Sequence, residues 1–194
     1  QNRIEDGWER CSVIWVSGVR RAGKTFLCRS LGDIEYFDCG IPRVRQQIEA
    51  SHEFLGSMGG KRIVLDEVNR LRSPSEFLKL AVADYPDVKV LATGPASVKS
   101  TSAARKELKN CIEEIWLTPM MSVGLKDFEN EDVVHRLKAG GLPPFFLSDD
   151  LPEKEYQQWI DSYWAKDVQG KIRMSKHWSF QKFLEMIFEN SGEV

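Results

Sequence analysis

One run of eight residues, Gly18–Thr25, constrains the fold more than any other part of the chain; it reads G-V-R-R-A-G-K-T. An apolar, β-branched stretch at 12–17 precedes it and predicts a buried strand, and a helical pattern begins at Lys24. The run satisfies the pattern G-x-x-x-x-G-K-[ST], in which a strand, a glycine-rich turn and a helix cradle phosphate groups with backbone N–H donors. The alternative interpretation is a glycine-rich turn that holds no ligand.

The residue types of this turn suit ATP with magnesium. Glycines allow the backbone to approach closely, and the helix directs its N-terminal amides and the positive end of its dipole at the phosphates. We expect the Lys24 ammonium to reach the β- and γ-phosphates and the Thr25 hydroxyl to coordinate magnesium. Arg20 either contacts phosphate or a neighbouring subunit, or faces solvent. The expected nucleotide-binding residues are Gly18, Val19, Arg20, Arg21, Ala22, Gly23, Lys24 and Thr25.

Two adjacent acids follow a second apolar stretch, at 61–66. In P-loop enzymes a carboxylate at the end of such a strand holds magnesium, and a neighbouring glutamate can act as general base towards the attacking water. We therefore expect Asp66 to join Thr25 as a magnesium ligand and Glu67 to be catalytic, while Lys24 neutralises developing charge. The alternative is that Asp66 caps a helix and Glu67 is solvated.

A hydroxyl residue, Thr93, ends a further apolar strand at 88–93. It could sense the γ-phosphate or orient the attacking water, and we include it among the expected catalytic residues. It could equally be a residue that starts the turn at Gly94 and Pro95. Both interpretations stay open at this point.

The order of the predicted elements defines the fold class. Strand patterns alternate with helical ones, which predicts an α/β fold with a parallel sheet covered by helices on both faces. Beyond Pro119 only helical patterns remain, so we expect a P-loop ATPase core at 1–121 and a helical lid or second small domain at 122–194. The strands after the first are predicted at 34–38, 61–66, 88–93 and 112–117, and the intervening helices at 42–55, 74–83 and 96–109.

Composition excludes several classes of protein. A formal net charge of −2 and a sequence pI of about 6.0 give no global positive field for nucleic acid. No apolar run is long enough to span a membrane. The four cysteines form no C-x-x-C pair, and the three histidines show no metal-ligand spacing. We expect a cytoplasmic protein with reduced, mostly buried thiols.

These motifs together resemble a known family. The P-loop, R-I-V-L-D-E-V at 62–68 and L-A-T-G at 91–94 are joined by the later K-A-G-G-L-P-P and W-A-K-D-V-Q. They resemble the prokaryotic AAA-type ATPases of the archaeal-ATPase-like group, which carry a C-terminal domain of unknown function. The resemblance covers about 13–192 and implies a five-stranded sheet of order 5-1-4-3-2. It also implies Glu67 as the hydrolytic base and Thr93 as the sensor.

Two positions depart from the family pattern. Asn110 and Cys111 stand where the family often has Gly-Arg before the fifth strand, so an arginine finger would have to come from elsewhere, such as Arg105. Pro95 stands where the family favours Ser, and it removes one backbone donor near the γ-phosphate. Both departures bear on hydrolysis more than on binding.

Three functions follow from these observations. The first is an ATPase that couples magnesium-dependent hydrolysis to a conformational change in the helical part. The second is a nucleotide-gated switch with little turnover that binds DNA or a partner protein, through a further C-terminal segment that the resemblance implies. The third is a P-loop kinase of small metabolites. The absence of an N-K-x-D motif favours adenine over guanine, and a homo-oligomer stays an open alternative.

Overall fold

The computed structural model describes residues 2–95, 112–121, 132–148, 153–169 and 177–190. Its contacts divide the chain into two compact units. The first comprises Gln1–Asp132 and Gly141–Pro143, and the second comprises Val133–Gly140 and Pro144–Val194. The domain boundary drawn from the sequence after residue 121 stays a prediction.

A five-stranded, all-parallel sheet forms the centre of the first unit. Its order is β2-β3-β4-β1-β5, which is the predicted order 5-1-4-3-2 read from the other edge. The predicted α/β fold class is therefore confirmed. The strands are β1 (Val13–Gly18), β2 (Glu35–Asp38), β3 (Arg62–Asp66), β4 (Lys89–Pro95) and β5 (Ile112–Leu117).

Helices connect and cover these strands. The helix predicted at 96–109 falls outside the described residues. Pro74 begins its helix at the first position, as expected, but the side chain of Ser73 makes no capping hydrogen bond. The described helices of this unit are α1 (Asn2–Arg10), α2 (Lys24–Arg29), α3 (Pro42–Glu49), α4 (Ser51–Gly56) and α5 (Pro74–Asp84), with a 3-10 turn at Val68–Arg70.

The core lies on both faces of the sheet because buried side chains alternate along each strand. Ile63 and Leu65 of β3 face α3, α4 and α5, whereas Val64 and Asp66 face the side that carries α1 and α2. The central strands thus have apolar residues in both directions, as expected for a parallel sheet with two covered faces. Burial of apolar surface on these faces is the main stabilising term, and it contributes about 25 cal/mol per Å² buried.

The sequence did not predict α1. Its composition is polar and Gly7 lowers helix propensity, so only Ile4 and Trp8 show helical spacing, and both are buried. A Cβ at Gly7 would lie 2.8 Å from Ile14 Cδ1, so a larger residue there would displace the end of that side chain. An ion pair joins the last residue of the helix to β5: Arg10 Nη2 lies 2.6 Å from Glu113 Oε2.

The single helix predicted at 42–55 is wrong, because the structure has two. Ala50, with φ −78° and ψ 61°, leaves the helical region and separates α3 from α4. The Ser51 hydroxyl donates to Ile48 O at 3.3 Å. Serine competes for helix carbonyls in this way, which favours a turn over a continuous helix.

The second unit is helical in its described parts, in keeping with the predicted helical tail. Its large apolar side chains are only partly buried: Phe180 packs with Trp164 and Val168, whereas Phe183 and Ile187 are about half exposed. None of the described helices is long and apolar enough to cross a membrane. The elements are α6 (Val133–Ala139), α7 (Pro143–Phe146), α8 (Glu153–Tyr163) with a π turn at Trp164–Val168, and α9 (His177–Glu189).

Candidate nucleotide and magnesium site

The candidate site lies at the carboxyl ends of the central strands, where ligands of open α/β sheets bind. The turn from β1 to α2 begins at Gly18, which is buried against β5. A Cβ on Gly18 would lie 2.3 Å from the Leu117 carbonyl oxygen, so only glycine fits. The first glycine of the motif therefore fixes how closely the turn approaches the neighbouring strand.

Two residues of the turn have left-handed backbone conformations. Arg21 has φ 62°, and Gly23, which precedes α2, has φ 99° and ψ 13°. Left-handed residues beside right-handed ones make concave arrangements of N–H groups that bind anions. Ala22 is buried beneath the turn, Val19 is exposed and Arg20 is half-buried. Phosphate binding by this turn stays a prediction, and the two left-handed residues are in keeping with it.

Lys24 lies across this turn. Its Nζ donates to the carbonyl oxygens of Gly18 and Val19, at 2.8 and 2.7 Å. These contacts hold the ammonium over the same turn whose amides would receive phosphate. A triphosphate that bound at this turn, as predicted, would meet one positive side chain and the dipole of α2 in a single place.

We predict that Gly18→Ala destabilises the protein by about 1–3 kcal/mol, because the added methyl group overpacks against a backbone carbonyl that cannot rotate away. Gly32→Ala is the matched control, since a Cβ there has nothing within 4 Å. Urea unfolding of both variants measures the difference. Equal stability of the two would contradict the close approach of the turn to β5.

The Asp66 carboxylate is the centre of the site. It is 5% exposed and accepts hydrogen bonds from three hydroxyl groups. Thr25 Oγ1 and Tyr36 Oη both donate to Oδ2 at 2.7 Å, and Thr93 Oγ1 donates to Oδ1. The structure therefore brings Thr25 and Asp66, the two predicted magnesium ligands, into direct contact.

Thr93 lies beneath this carboxylate and is fully buried. Besides donating to Asp66, its hydroxyl accepts the backbone N–H of Glu67 at 3.0 Å. One hydroxyl thus holds two consecutive residues of the predicted acid pair. Contact of Thr93 with a γ-phosphate stays a prediction, whereas its contact with Asp66 is direct.

Glu67 has an unusual backbone for a residue with a side chain. Its φ of 55° and ψ of 45° lie in the left-handed region, which costs a non-glycine residue about 1 kcal/mol or more. Its carboxylate pairs with Arg70 of the 3-10 turn, with Oε2 3.0 Å from Arg70 Nε. Both side chains are about 40% exposed, so the pair adds little to stability. Strained backbone of this kind clusters at functional sites.

Sequence reasoning missed Tyr36. Strand register explains its position: Tyr36 pairs with Val64, so its side chain shares a sheet face with Asp66, two residues further along β3. Diagonal neighbours of this kind are within reach of aromatic side chains. Burial raises the pKa of the Tyr36 phenol above its usual value, and the hydrogen bond to Asp66 adds to the effect. The alternation of β2 was readable in the sequence, but its register against β3 was not.

The described residues fit a magnesium ion held mainly by oxygen atoms. Magnesium prefers carboxylate and hydroxyl oxygens, keeps several waters and is usually held by one or two carboxylates together with substrate phosphates. Thr25 and Asp66 supply two such oxygens beside the turn. Within the ranges that the structure describes, no group of three or more His, Cys, Asp or Glu side chains could hold a metal ion. The donor set suits magnesium shared with a phosphate ligand.

Two of the cysteines are buried near this region and free. Burial raises the pKa of the Cys28 thiol to about 12, and burial with the charge of Asp38 does the same for Cys39. Such thiols are protonated at neutral pH and unreactive. This agrees with the expectation of reduced, buried cysteines; Cys111 falls outside the described residues.

Comparison with known families agrees with this geometry. The family model described as "AAA domain" matches residues 10–123, which is more than half of the chain and contains Gly18–Thr25, Asp66, Glu67 and Thr93. No curated protein matches the chain. The match supports the predicted resemblance at the level of an AAA-type ATPase domain. The chain belongs to the AAA domain family, and its first unit is a nucleotide-binding P-loop ATPase domain.

Proposed function

We propose that the protein hydrolyses ATP in a magnesium-dependent reaction and couples it to a conformational change in its helical part. The observation that carries the proposal is the contact between Thr25 and Asp66 beside the phosphate-binding turn. Thr25 and Asp66 would hold a magnesium ion through their hydroxyl and carboxylate oxygens, and the ion would supply positive charge for the phosphates. The turn supplies the amides and Lys24 supplies the positive charge.

The proposed roles of the side chains follow from their positions. Magnesium, when bound, would neutralise phosphate charge. Lys24 neutralises charge that develops on the transferred phosphoryl group. Glu67 accepts a hydrogen bond from the attacking water and orients it in line. For this the Glu67 carboxylate has to leave Arg70, which its exposure allows. Thr93 keeps the backbone of Glu67 in place.

A second candidate function is a nucleotide-gated switch with little turnover. The Arg70–Glu67 ion pair favours it, because Arg70 occupies the carboxylate oxygen that would otherwise accept a hydrogen bond from the attacking water. The arginine-finger positions, Arg105, Asn110 and Cys111, lie outside the described residues. We further propose that the protein is cytoplasmic, belongs to the archaeal-ATPase-like subgroup with its C-terminal domain, and binds DNA or a partner protein, with a homo-oligomer as an alternative. Phosphate transfer to a nucleoside monophosphate would revive the kinase alternative.

Phosphate release measured with ATP and GTP, with and without magnesium and DNA, tests the proposed function. Release that requires magnesium and prefers ATP supports an ATP hydrolase. Stimulation by DNA would identify the partner class. Tight ATP–magnesium binding without release would support the switch, and neither binding nor release would contradict both.

We predict that Asp66→Ala weakens magnesium-dependent ATP affinity by about tenfold or more without unfolding the protein. Loss of the Asp66 carboxylate leaves the buried O–H of Thr93 without an acceptor, which costs about 1–3 kcal/mol. Domains of this size have about 5–15 kcal/mol of stability, so the fold should persist. Isothermal titration gives the affinity and circular dichroism the fold. Asp84→Ala, at the exposed end of α5, is the control. An unfolded Asp66→Ala variant would make Asp66 structural.

A further inference from the structure

Tyr36 lies on the edge strand of the sheet and its side chain reaches the candidate site. β2 is the outermost strand next to β3, and no motif of the sequence points to it. The Tyr36 hydroxyl nevertheless reaches Asp66 Oδ2 at 2.7 Å, the same oxygen that accepts the Thr25 hydroxyl at 2.7 Å. Tyr36 and Thr25 therefore approach one oxygen atom from two different elements.

The two hydroxyls have different roles once a cation is present. Thr25 would offer an oxygen lone pair to the cation as a ligand, and its O–H would still be free to donate to Asp66, because a hydroxyl has one donor and two lone pairs. Tyr36 and Thr93 would remain as donors to Oδ2 and Oδ1 and would keep the carboxylate in its orientation. Groups that hydrogen-bond to a metal-ligating carboxylate orient it, and their loss typically lowers metal affinity about 10–100-fold.

Tyr36 is suited to this role because it stays a donor and its ring is held. A carboxylate can only accept hydrogen bonds, so the Tyr36 hydroxyl is the donor in its contact with Asp66 Oδ2. The Arg29 guanidinium carbon lies 5.0 Å from the centre of the Tyr36 ring. Arg29 and Thr25 belong to the same helix, α2, so the helix that follows the phosphate-binding turn also contacts the tyrosine.

We propose that Tyr36 is a positioning residue for the cation: it orients the Asp66 carboxylate towards Thr25 and thereby raises the affinity of the site for magnesium. The inference rests on the proposed function, because it assumes that magnesium binds at Thr25 and Asp66. The inference goes beyond the proposed function because it makes an edge-strand residue, Tyr36, contribute to the affinity of the site for magnesium. Tyr36 does not itself contact magnesium or nucleotide in this arrangement.

A purely structural Tyr36 would behave differently from a positioning one. A structural residue affects stability, and it affects ATP binding equally with and without magnesium. A positioning residue changes the magnesium dependence alone, because nucleotide binding without metal relies on the turn and Lys24. The two possibilities separate when ATP affinity is measured at saturating magnesium and again in the presence of a chelator.

The test compares Tyr36→Phe with Tyr85→Phe in the full chain. Tyr85 is the matched control, because its hydroxyl donates to His52 O at 3.2 Å, outside the candidate site. Phenylalanine keeps the shape and strand preference of tyrosine, so both variants should show the wild-type circular-dichroism spectrum. For Tyr36→Phe we expect the magnesium concentration that gives half-maximal ATP binding to rise about tenfold or more. The affinity for ATP in the presence of a chelator should stay within about twofold of wild type.

Each result has a defined meaning. If Tyr36→Phe leaves the half-saturating magnesium concentration unchanged, the inference is overturned. An equal loss of ATP affinity with and without magnesium overturns it as well. Both results leave the proposed function intact if the wild type shows magnesium-dependent binding. Wild-type ATP binding that is indifferent to magnesium would instead overturn the proposed function, and the inference with it.

Discussion

Lys24→Ala is expected to weaken ATP–magnesium binding by about tenfold or more, or to abolish it. A tenfold change corresponds to about 1.4 kcal/mol. A single charge pair at about 4 Å near a protein surface is worth up to about 4 kcal/mol before desolvation, so one ammonium beside two phosphates can supply this amount. The variant also loses the contacts of Nζ with the carbonyl oxygens of Gly18 and Val19. Both effects act at the same turn.

Isothermal titration of the variant with ATP and magnesium measures this loss. Lys61→Ala is the matched control, because Lys61 pairs with Glu35 near the opposite, amino end of β3. The control should bind like wild type, and both variants should stay folded. Unchanged affinity in Lys24→Ala would count against the turn as the phosphate site.

Glu67→Gln is expected to lower the ATP turnover about a hundredfold or more while leaving ATP affinity within about twofold of wild type, since general base catalysis typically contributes 10²–10⁴-fold. Glutamine has nearly the same shape as glutamate but is a far weaker base. The variant loses only the ion pair with Arg70, which at this exposure contributes about 0–1 kcal/mol. The fold should therefore be unaffected.

Single-turnover phosphate release, with ATP affinity measured in parallel, separates the possible results. Glu53→Gln, an exposed residue of α4, controls for the change of charge. Measurable and equal turnover in wild type and Glu67→Gln would remove Glu67 from the mechanism. Equal turnover near zero in both would support the switch with little hydrolysis.

The sequence predicted the central sheet well because its signals are local. Short patterns in the sequence predicted the P-loop, the apolar run at 62–66 and the strand at 112–117, and the strands of the structure lie at these positions. The strand order came from the resemblance, and the structure has the same order. The contact of Thr25 with Asp66 was also predictable, since both residues were expected to be ligands of one magnesium ion.

What the sequence did not predict depends on contacts between distant residues. Helix α1 is stabilised by packing of Ile4 and Trp8 on the sheet, and neither its propensity nor its polar composition indicates a helix. The contact of Tyr36 with Asp66 depends on strand register, which no local pattern encodes. For Thr93 the strand was predicted, but burial against Asp66 and Glu67 follows only from the pairing of β3 with β4.

The position of α1 has a practical consequence for anyone preparing this domain. The family match begins at residue 10, whereas α1 occupies the residues before it and covers Ile14 and Leu91 of the sheet. A gene fragment cut to the family limits would expose that apolar surface to water and so promote aggregation. The unit that folds is therefore longer than the unit that sequence comparison recognises, and expression boundaries should include α1.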